Sequence, residues 1–371
     1  MEIVLICDGP LPPESPLRKI PFFYHARLID MARVSGDTVA EAQVAIVELL
    51  SATDAGLSAL KASWASIAEI PVICMTARNN RRETIQAAAL GKSEIMERDA
   101  PLALLLNRIR GLIGPDVKAM IPPETPQSVA HALVEASAFI DSMTLSVATD
   151  AGLKMKVLET SANDVLAAID KEGLPVWLET IQNHHSPTFI HSMAVAGLAG
   201  AFARHIGWST KDCSEVVAGG LIHDIGKTRI PLTILDKAGK LSPEERALIA
   251  KHTEFGGEIL KPRLEVPPDI KRMALQHHEY LDGSGYPNRL KGERIVPKVR
   301  LITLCDIYTA LTETRPYKET HTSREALAAM KQMGGKLDQA MLAKFSQMIL
   351  GRDLGDVSRS DAKAGVSLAS D

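Results

Sequence analysis

Thiol pairs, an excess of either charge and long apolar runs are all missing from this chain. Its four cysteines, Cys7, Cys74, Cys213 and Cys305, are scattered over 371 residues without a CxxC pair. That excludes a disulfide scaffold and a thiolate zinc site, and it fits a reducing cytoplasm. The 42 Lys+Arg and 45 Asp+Glu leave a net charge of −3, so nothing announces a nucleic-acid or acidic-membrane binder. The longest uncharged apolar stretch, Met193 to Ala203, stops at Arg204, short of the roughly 18 residues that a membrane span needs. The N-terminus, with Glu2 and a short apolar run, lacks the basic start and long apolar core of a signal peptide. Aromatics are scarce at 4%, but 46% apolar residues exclude a disordered chain, and the length allows two or three domains. Histidine is what the chain holds unevenly. Nine of eleven lie between His184 and His321, and only His25 and His131 precede them.

Residues 1–115 alternate short apolar runs (Glu2–Cys7, Val44–Leu50, Ile70–Met75 and Ile95-Met96) with helix-compatible segments such as Arg82–Leu90 and Leu102–Leu112. The pattern predicts an α/β domain with a parallel sheet covered on both faces. Gly114-Pro115 and Ile121-Pro122-Pro123-Glu124-Thr125-Pro126 would stop any helix entering them and mark a boundary. Within the linker, 116–154, Ser128 to Met143 has helical spacing and reads as a connecting helix, either part of a dimer interface or packed on its own domain. From 155 to 352 nearly every segment is helical in character, among them Pro187–His205, Lys211–Ile222, Pro243–Leu260, Pro268–His278 and Pro297–Thr312. This half is expected to be an all-α bundle. Residues 353–371 are small and polar and are expected to be disordered.

Three signals in the helical half carry chemistry. In His223-Asp224-Ile225-Gly226-Lys227, an apolar helix ends in a His-Asp pair that either caps the helix or offers a nitrogen and a carboxylate to cations. In Gln276-His277-His278-Glu279, consecutive histidines leave a helix about 100° apart, so at least one faces a polar site or solvent. A glycine-rich turn, Asp282-Gly283-Ser284-Gly285, and Tyr286-Pro287 follow. His191, one turn after Pro187, and His252 are single residues that alone read as structural histidines. Asp306 has apolar neighbours Leu304 and Ile307, and an unpaired acid there would be costly to bury. Together these make five imidazoles and two carboxylates, which a helix bundle can converge on one interior point.

The set resembles the HD-GYP domains, a branch of the HD superfamily of metal-dependent phosphohydrolases that hydrolyse the bacterial second messenger cyclic di-GMP. The likeness covers about 155–350 and includes His191-Ser192, His223-Asp224-Ile225-Gly226-Lys227, Ile230-Pro231, Ile234-Leu235, His277-His278-Glu279, the Asp282–Pro287 turn, Asp306 and Arg315-Pro316-Tyr317-Lys318, in the family's order. The resemblance implies a cyclic di-GMP phosphodiesterase giving linear pGpG, and slowly GMP. His191, His223, Asp224, His252, His277, His278 and Asp306 would be metal ligands, with Asp224 bridging. His223, Asp224 and Lys227 would form the catalytic core, with Lys227 on the scissile phosphate. Arg315 and Lys318 would take other phosphate or guanine groups, and Gly285, Tyr286 and Pro287 would shape the substrate pocket and dock GGDEF-domain diguanylate cyclases. Family members with a third metal carry a Glu where Pro187 stands here, so two divalent cations, iron or manganese, are expected. The rival expectations are a phosphodiesterase for another cyclic dinucleotide such as cGAMP, and a receptor or scaffold that binds cyclic di-GMP without turnover.

Residues 1–115 resemble, less strongly, a response-regulator receiver, a doubly wound flavodoxin-like domain. Asp8 ends the first strand and Thr76 matches the switch position. Glu48 stands where the phosphoacceptor Asp belongs, Gly9 replaces a second pocket acid, and Arg98-Asp99 replaces Lys-Pro. These departures imply a receiver that is not phosphorylated, with Arg98 paired to Glu48, serving in homodimerisation or partner binding.

Overall fold

The computed structural model describes residues 2–50, 52–91, 93–113, 117–182, 186–237, 239–313 and 320–364; of Ala119 and residues 352–364 only the backbone is described. The chain forms two compact units, one of residues 1–116, 144–151 and 228–237, the other of 117–143, 152–227 and 238–371. The expected segments 1–115, 116–154 and 155–352 are single stretches, whereas each unit is assembled from several.

The first unit holds five parallel strands: β1 (Glu2–Cys7), β2 (His25–Asp30), β3 (Ala42–Glu48), β4 (Val72–Thr76) and β5 (Glu94–Glu97). Their order is β2-β1-β3-β4-β5, a doubly wound topology whose switch point lies between β1 and β3. The inner strands β1, β3 and β4 are buried almost throughout, as parallel strands covered on both faces must be. Alternate residues feed two cores. Val4, Ile6, Val47 and Cys74 meet Leu57 and Leu60 of α1 (Asp54–Ala62). Ile3, Leu5, Ile46 and Ile73 meet Leu105 and Ile109 of a helix on the other face, α3 (Leu102–Ile113). Between these two helices in sequence lies α2 (Arg81–Ala89). Strand β2 has no counterpart in the sequence reading. Its residues His-Ala-Arg-Leu-Ile-Asp lie at the sheet edge with two of six exposed, so they need no apolar run.

Where the strands end, Glu48 is fully buried and held on every side. Arg98 donates to its Oε1 from Nε (2.8 Å) and Nη2 (2.6 Å), and the Ser15 hydroxyl donates to Oε2 at 2.6 Å. The same guanidinium reaches Glu83 at 3.1 Å. The expected Arg98–Glu48 pair is therefore present, with Glu83 as an unforeseen third member. Asp8 is occupied as well, accepting from the Thr53 amide (2.7 Å) and hydroxyl (2.6 Å), which holds its carboxyl below the usual range.

The second unit is helical. Its helices include most of α4 (Gln127–Ala148), then α5 (Met155–Glu172), α6 (Leu174–Ile181), α7 (Pro187–His205), α8 (Thr210–Ile222), α9 (Pro243–Ala250), α10 (His252–Leu260), α11 (Pro268–Gln276), α12 (Pro297–Thr312), α13 (Ser323–Gln332) and α14 (Gln339–Ala364). The small residues of α7 serve close packing. A Cβ on Gly220 of α8 would fall 2.6 Å from the Ala196 backbone, and one on Gly197 would strike the fully buried Trp177. The helix expected over Pro243–Leu260 is two helices, parted at Lys251 by a turn without Pro or Gly. The last helix runs to Ala364, into the stretch expected to be disordered, and 365–371 lie outside the described residues. All four cysteines are free and buried. Among the described residues no helix is long and apolar enough to cross a membrane.

Candidate metal centre

Three helix ends and two helix bodies in the second unit deliver the seven candidate ligands. Ser186 caps α7 by accepting from the Phe189 amide, Pro187 takes the first turn, and His191 follows on an inward face. His223 ends α8 with Asp224 next, His252 opens α10, His277 ends α11 with His278 next, and Asp306 lies within α12. Six of the seven are buried and His278 is half-buried.

Asp224 divides the cluster. Its Oδ2 faces His223 Nε2 at 3.3 Å and His191 Nε2 at 3.7 Å, while Oδ1 faces His252 Nε2 at 3.3 Å and His277 Nε2 at 3.9 Å. Asp306 closes one half through Oδ1 to His191 Nε2 at 3.0 Å, and its Oδ2 is 3.7 Å from His278 Nδ1. Three overlapping groups, His191/His223/Asp306, His223/Asp224/His277 and His252/His277/His278, each bring their ligand atoms within 4.8 Å of one another.

The tautomers show what these atoms want. Nδ1 of His223 lies 2.8 Å from the Gly220 carbonyl, that of His252 2.7 Å from Ile249, and that of His277 3.1 Å from both Met273 and Ala274. A carbonyl only accepts, so each ring keeps its proton on Nδ1 and turns a bare Nε2 lone pair inward. His252 Nε2 and His277 Nε2 then face each other at 3.1 Å, and His223 Nε2 is buried without a hydrogen-bond partner. Such acceptors, packed around a shared carboxylate, fit divalent cations. Burial pushes His252 down to about 4 and His277 and His278 below the usual histidine value, so these rings are neutral at pH 7, as ligation requires. Burial also works against a charged His191, yet the carboxylates of Asp306 and Glu313 outweigh it and hold that ring at about 9. Asp224 stays ionised: burial opposes the charge, and His223 and Lys227 more than offset it.

Around this centre, Lys227 donates to Asp224 Oδ2 at 2.5 Å from a turn that Gly226 makes possible, since a Cβ there would overlap the His252 carbonyl. Glu279, buried, accepts from the Asn288 amide (2.6 Å) and the Leu290 amide (2.9 Å) and so holds the loop between them. Gly285 packs on the His278–Tyr280 backbone with no room for a Cβ, and the Tyr286 ring stacks on His278 at 4.9 Å between centroids. Arg315 and Lys318 lie outside the described residues, as do His184 and His185. His205 is exposed and His321 half-buried, neither within the cluster. The sequence reading missed Glu313, whose carboxylate is 3.5 Å from His191 Nδ1, and Thr303, which donates to the His277 carbonyl at 2.8 Å.

A family model described as "HD domain" matches residues 175–341, the span that holds all seven candidate ligands. That stretch is an HD domain. Among curated proteins, the cyclic di-GMP phosphodiesterase PA4108 of Pseudomonas aeruginosa is 36% identical over 162 residues, 44% of this chain and 39% of that protein. The cyclic di-GMP phosphodiesterase response regulator RpfG of Xanthomonas campestris is 32% identical over 203 residues, 53% of each. The 3'3'-cGAMP-specific phosphodiesterase 2 of Vibrio cholerae is 36% identical over 168 residues, 44% of this chain and 32% of that one. The chain thus spans about half, or less, of the length of these relatives, and the HD domain is the part it has in common with the family model.

Proposed function

We propose that this chain is a metal-dependent phosphodiesterase that opens cyclic di-GMP to linear pGpG, and slowly on to GMP. The observation that carries the reading is the pair of inward lone pairs on His252 and His277, 3.1 Å apart beside a carboxylate that serves both halves of the cluster. It is supported by relatives named as cyclic di-GMP phosphodiesterases. His191, His223 and Asp306 would hold one cation, His252, His277 and His278 the other, with Asp224 bridging. Pro187 offers no donor for a third. Iron or manganese suits this nitrogen and oxygen set. Bound cations supply the positive charge that lowers the pKa of water from 15.7 toward about 7 and draws in a phosphodiester.

The chain's own groups do the rest. Lys227, on the Asp224 edge, is placed to donate to a non-bridging phosphate oxygen as charge grows there. Gly285, Tyr286 and Pro287 wall the site beside His278, and Arg315 and Lys318 are assigned to the other phosphate or a guanine. Residues 1–115 are proposed as a degenerate receiver, because Glu48 is already saturated by Arg98 and Ser15. A cytoplasmic homodimer, docking diguanylate cyclases through the Gly285–Pro287 loop, completes the proposal; light scattering and co-purification with a GGDEF domain test it.

Protein purified anaerobically and loaded with Fe²⁺ or Mn²⁺ should convert cyclic di-GMP to pGpG, and His223→Ala or Asp224→Ala should abolish conversion. Wild-type rates in both variants would overturn the assignment, and a tight complex with no product would favour a receptor. The names of the Vibrio cholerae relatives make cGAMP the substrate to run in competition.

A further inference from the structure

Three ring nitrogens in the cluster, Nδ1 of His223, His252 and His277, are oriented by backbone carbonyls. His191 is different. Its Nδ1 is buried with no closed hydrogen bond, and the nearest carboxylate is that of Glu313, with Oε2 at 3.5 Å. Glu313 is itself buried and caps the C-terminus of α12, directly after Thr312 and seven residues after Asp306. Seven residues are two helical turns, so both acids leave one face of the helix. A single helix thus addresses both nitrogens of one imidazole, Asp306 at Nε2 (3.0 Å) and Glu313 at Nδ1 (3.5 Å).

We propose that Glu313 is a positioning residue for the cation held by His191, His223 and Asp306: it keeps the His191 proton on Nδ1, points the Nε2 lone pair at the ion and makes that ring a stronger donor. A carboxylate only accepts, so it selects the same tautomer that carbonyls select elsewhere, and its full charge polarises the ring more than a carbonyl does. The two half-sites are therefore unequal. One has a carboxylate-backed imidazole, while the other rests on carbonyl-oriented rings.

This inference rests on the binuclear reading, and the test separates the two. Chelator-stripped full-length protein is titrated with Mn²⁺ by calorimetry and with Co²⁺ by visible absorption. Wild type should take up two cations. Glu313→Ala should weaken one of them about 10- to 100-fold and leave the other unchanged, while Glu313→Gln, which keeps an acceptor oxygen without the charge, falls between. In a His252→Ala background, Glu313→Gln should weaken the remaining tight binding by the same factor as it does alone. If Glu313→Ala fails to fold, Glu313→Gln decides alone. Wild-type affinity for both cations in the Gln variant, or equal weakening of both, overturns the inference. A cooperatively melting wild type that takes up no cation overturns the binuclear reading and the inference with it.

Discussion

A methyl group at Gly226 would come within 1.8 Å of the His252 carbonyl oxygen, and one at Gly285 within 2.4 Å of the His278 carbonyl. Neither contact is with a side chain that can swing away. Gly226→Ala should cost about 3 kcal/mol through overpacking and lower metal content, read by thermal melting and elemental analysis. Gly285→Ala should likewise lower the melting point, by an overpacking cost of about 1–3 kcal/mol, and also cut kcat/KM at least tenfold, because it displaces a loop that Tyr286 stacks onto the candidate ligand His278. The candidate ligands were legible only as a set, since His191 and His252 alone read as structural histidines and it is five imidazoles with two carboxylates that stand out in an apolar setting. Glu313 was not, since an acid at a helix end looks like any solvated residue until its seven-residue spacing from Asp306 is matched to a shared ring. The pH response also belongs to single rings. Without metal, His252 sits at about 4 against an ordinary 6.5, so the unfolded chain binds the extra proton first and stability falls as pH drops from 6.5 through 4. His191, held at about 9, stabilises fully below 6.5, and that contribution disappears as pH rises through 9. A metal ion bound at Nε2 would replace that proton. Melts with EDTA should therefore lose stability between pH 6.5 and 9, and melts with Mn²⁺ should not.

The helices that begin with Pro, α7, α9, α11 and α12, start where the sequence leads one to expect, because Pro fixes the start, and α7 and α12 also end there. Strand β2 was not legible, since an edge strand needs only one covered face. Nor was the break at Lys251, where packing turns the chain rather than a breaker residue: the His252 carbonyl sits against Gly226. In the sheet, Arg98 ties the last residue of β3 to α2 through Glu48 and Glu83. Arg98→Ala would strand two buried acids, and we expect a loss of about 3–5 kcal/mol in denaturant unfolding. Acyl-phosphate donors should leave no phosphate on Glu48, checked by intact-mass spectrometry.

With a net charge of −3 over 371 residues, the molecule as a whole exerts no long-range pull on an anionic dinucleotide. On the proposed function, recognition of such a ligand would be local, at the cations and Lys227. The two units also differ in what holds them. The first has a two-faced apolar core, while the second has its own buried apolar side chains and also surrounds a polar cluster whose facing lone pairs an ion would satisfy. Chelation should lower the melting transition of the second unit and spare the first, which calorimetry can resolve, and added Mn²⁺ should restore it in proportion to the logarithm of its concentration.

The facing rings of His252 and His277 also bear on the life of the protein after synthesis. Two like dipoles pressed together are a built-in frustration, tolerable only when something electrophilic shares the space. A chain made where metal is scarce would open locally at α10 and α11 more often and be exposed to proteases. Metal supply would then set how much of the protein survives as well as how active each copy is.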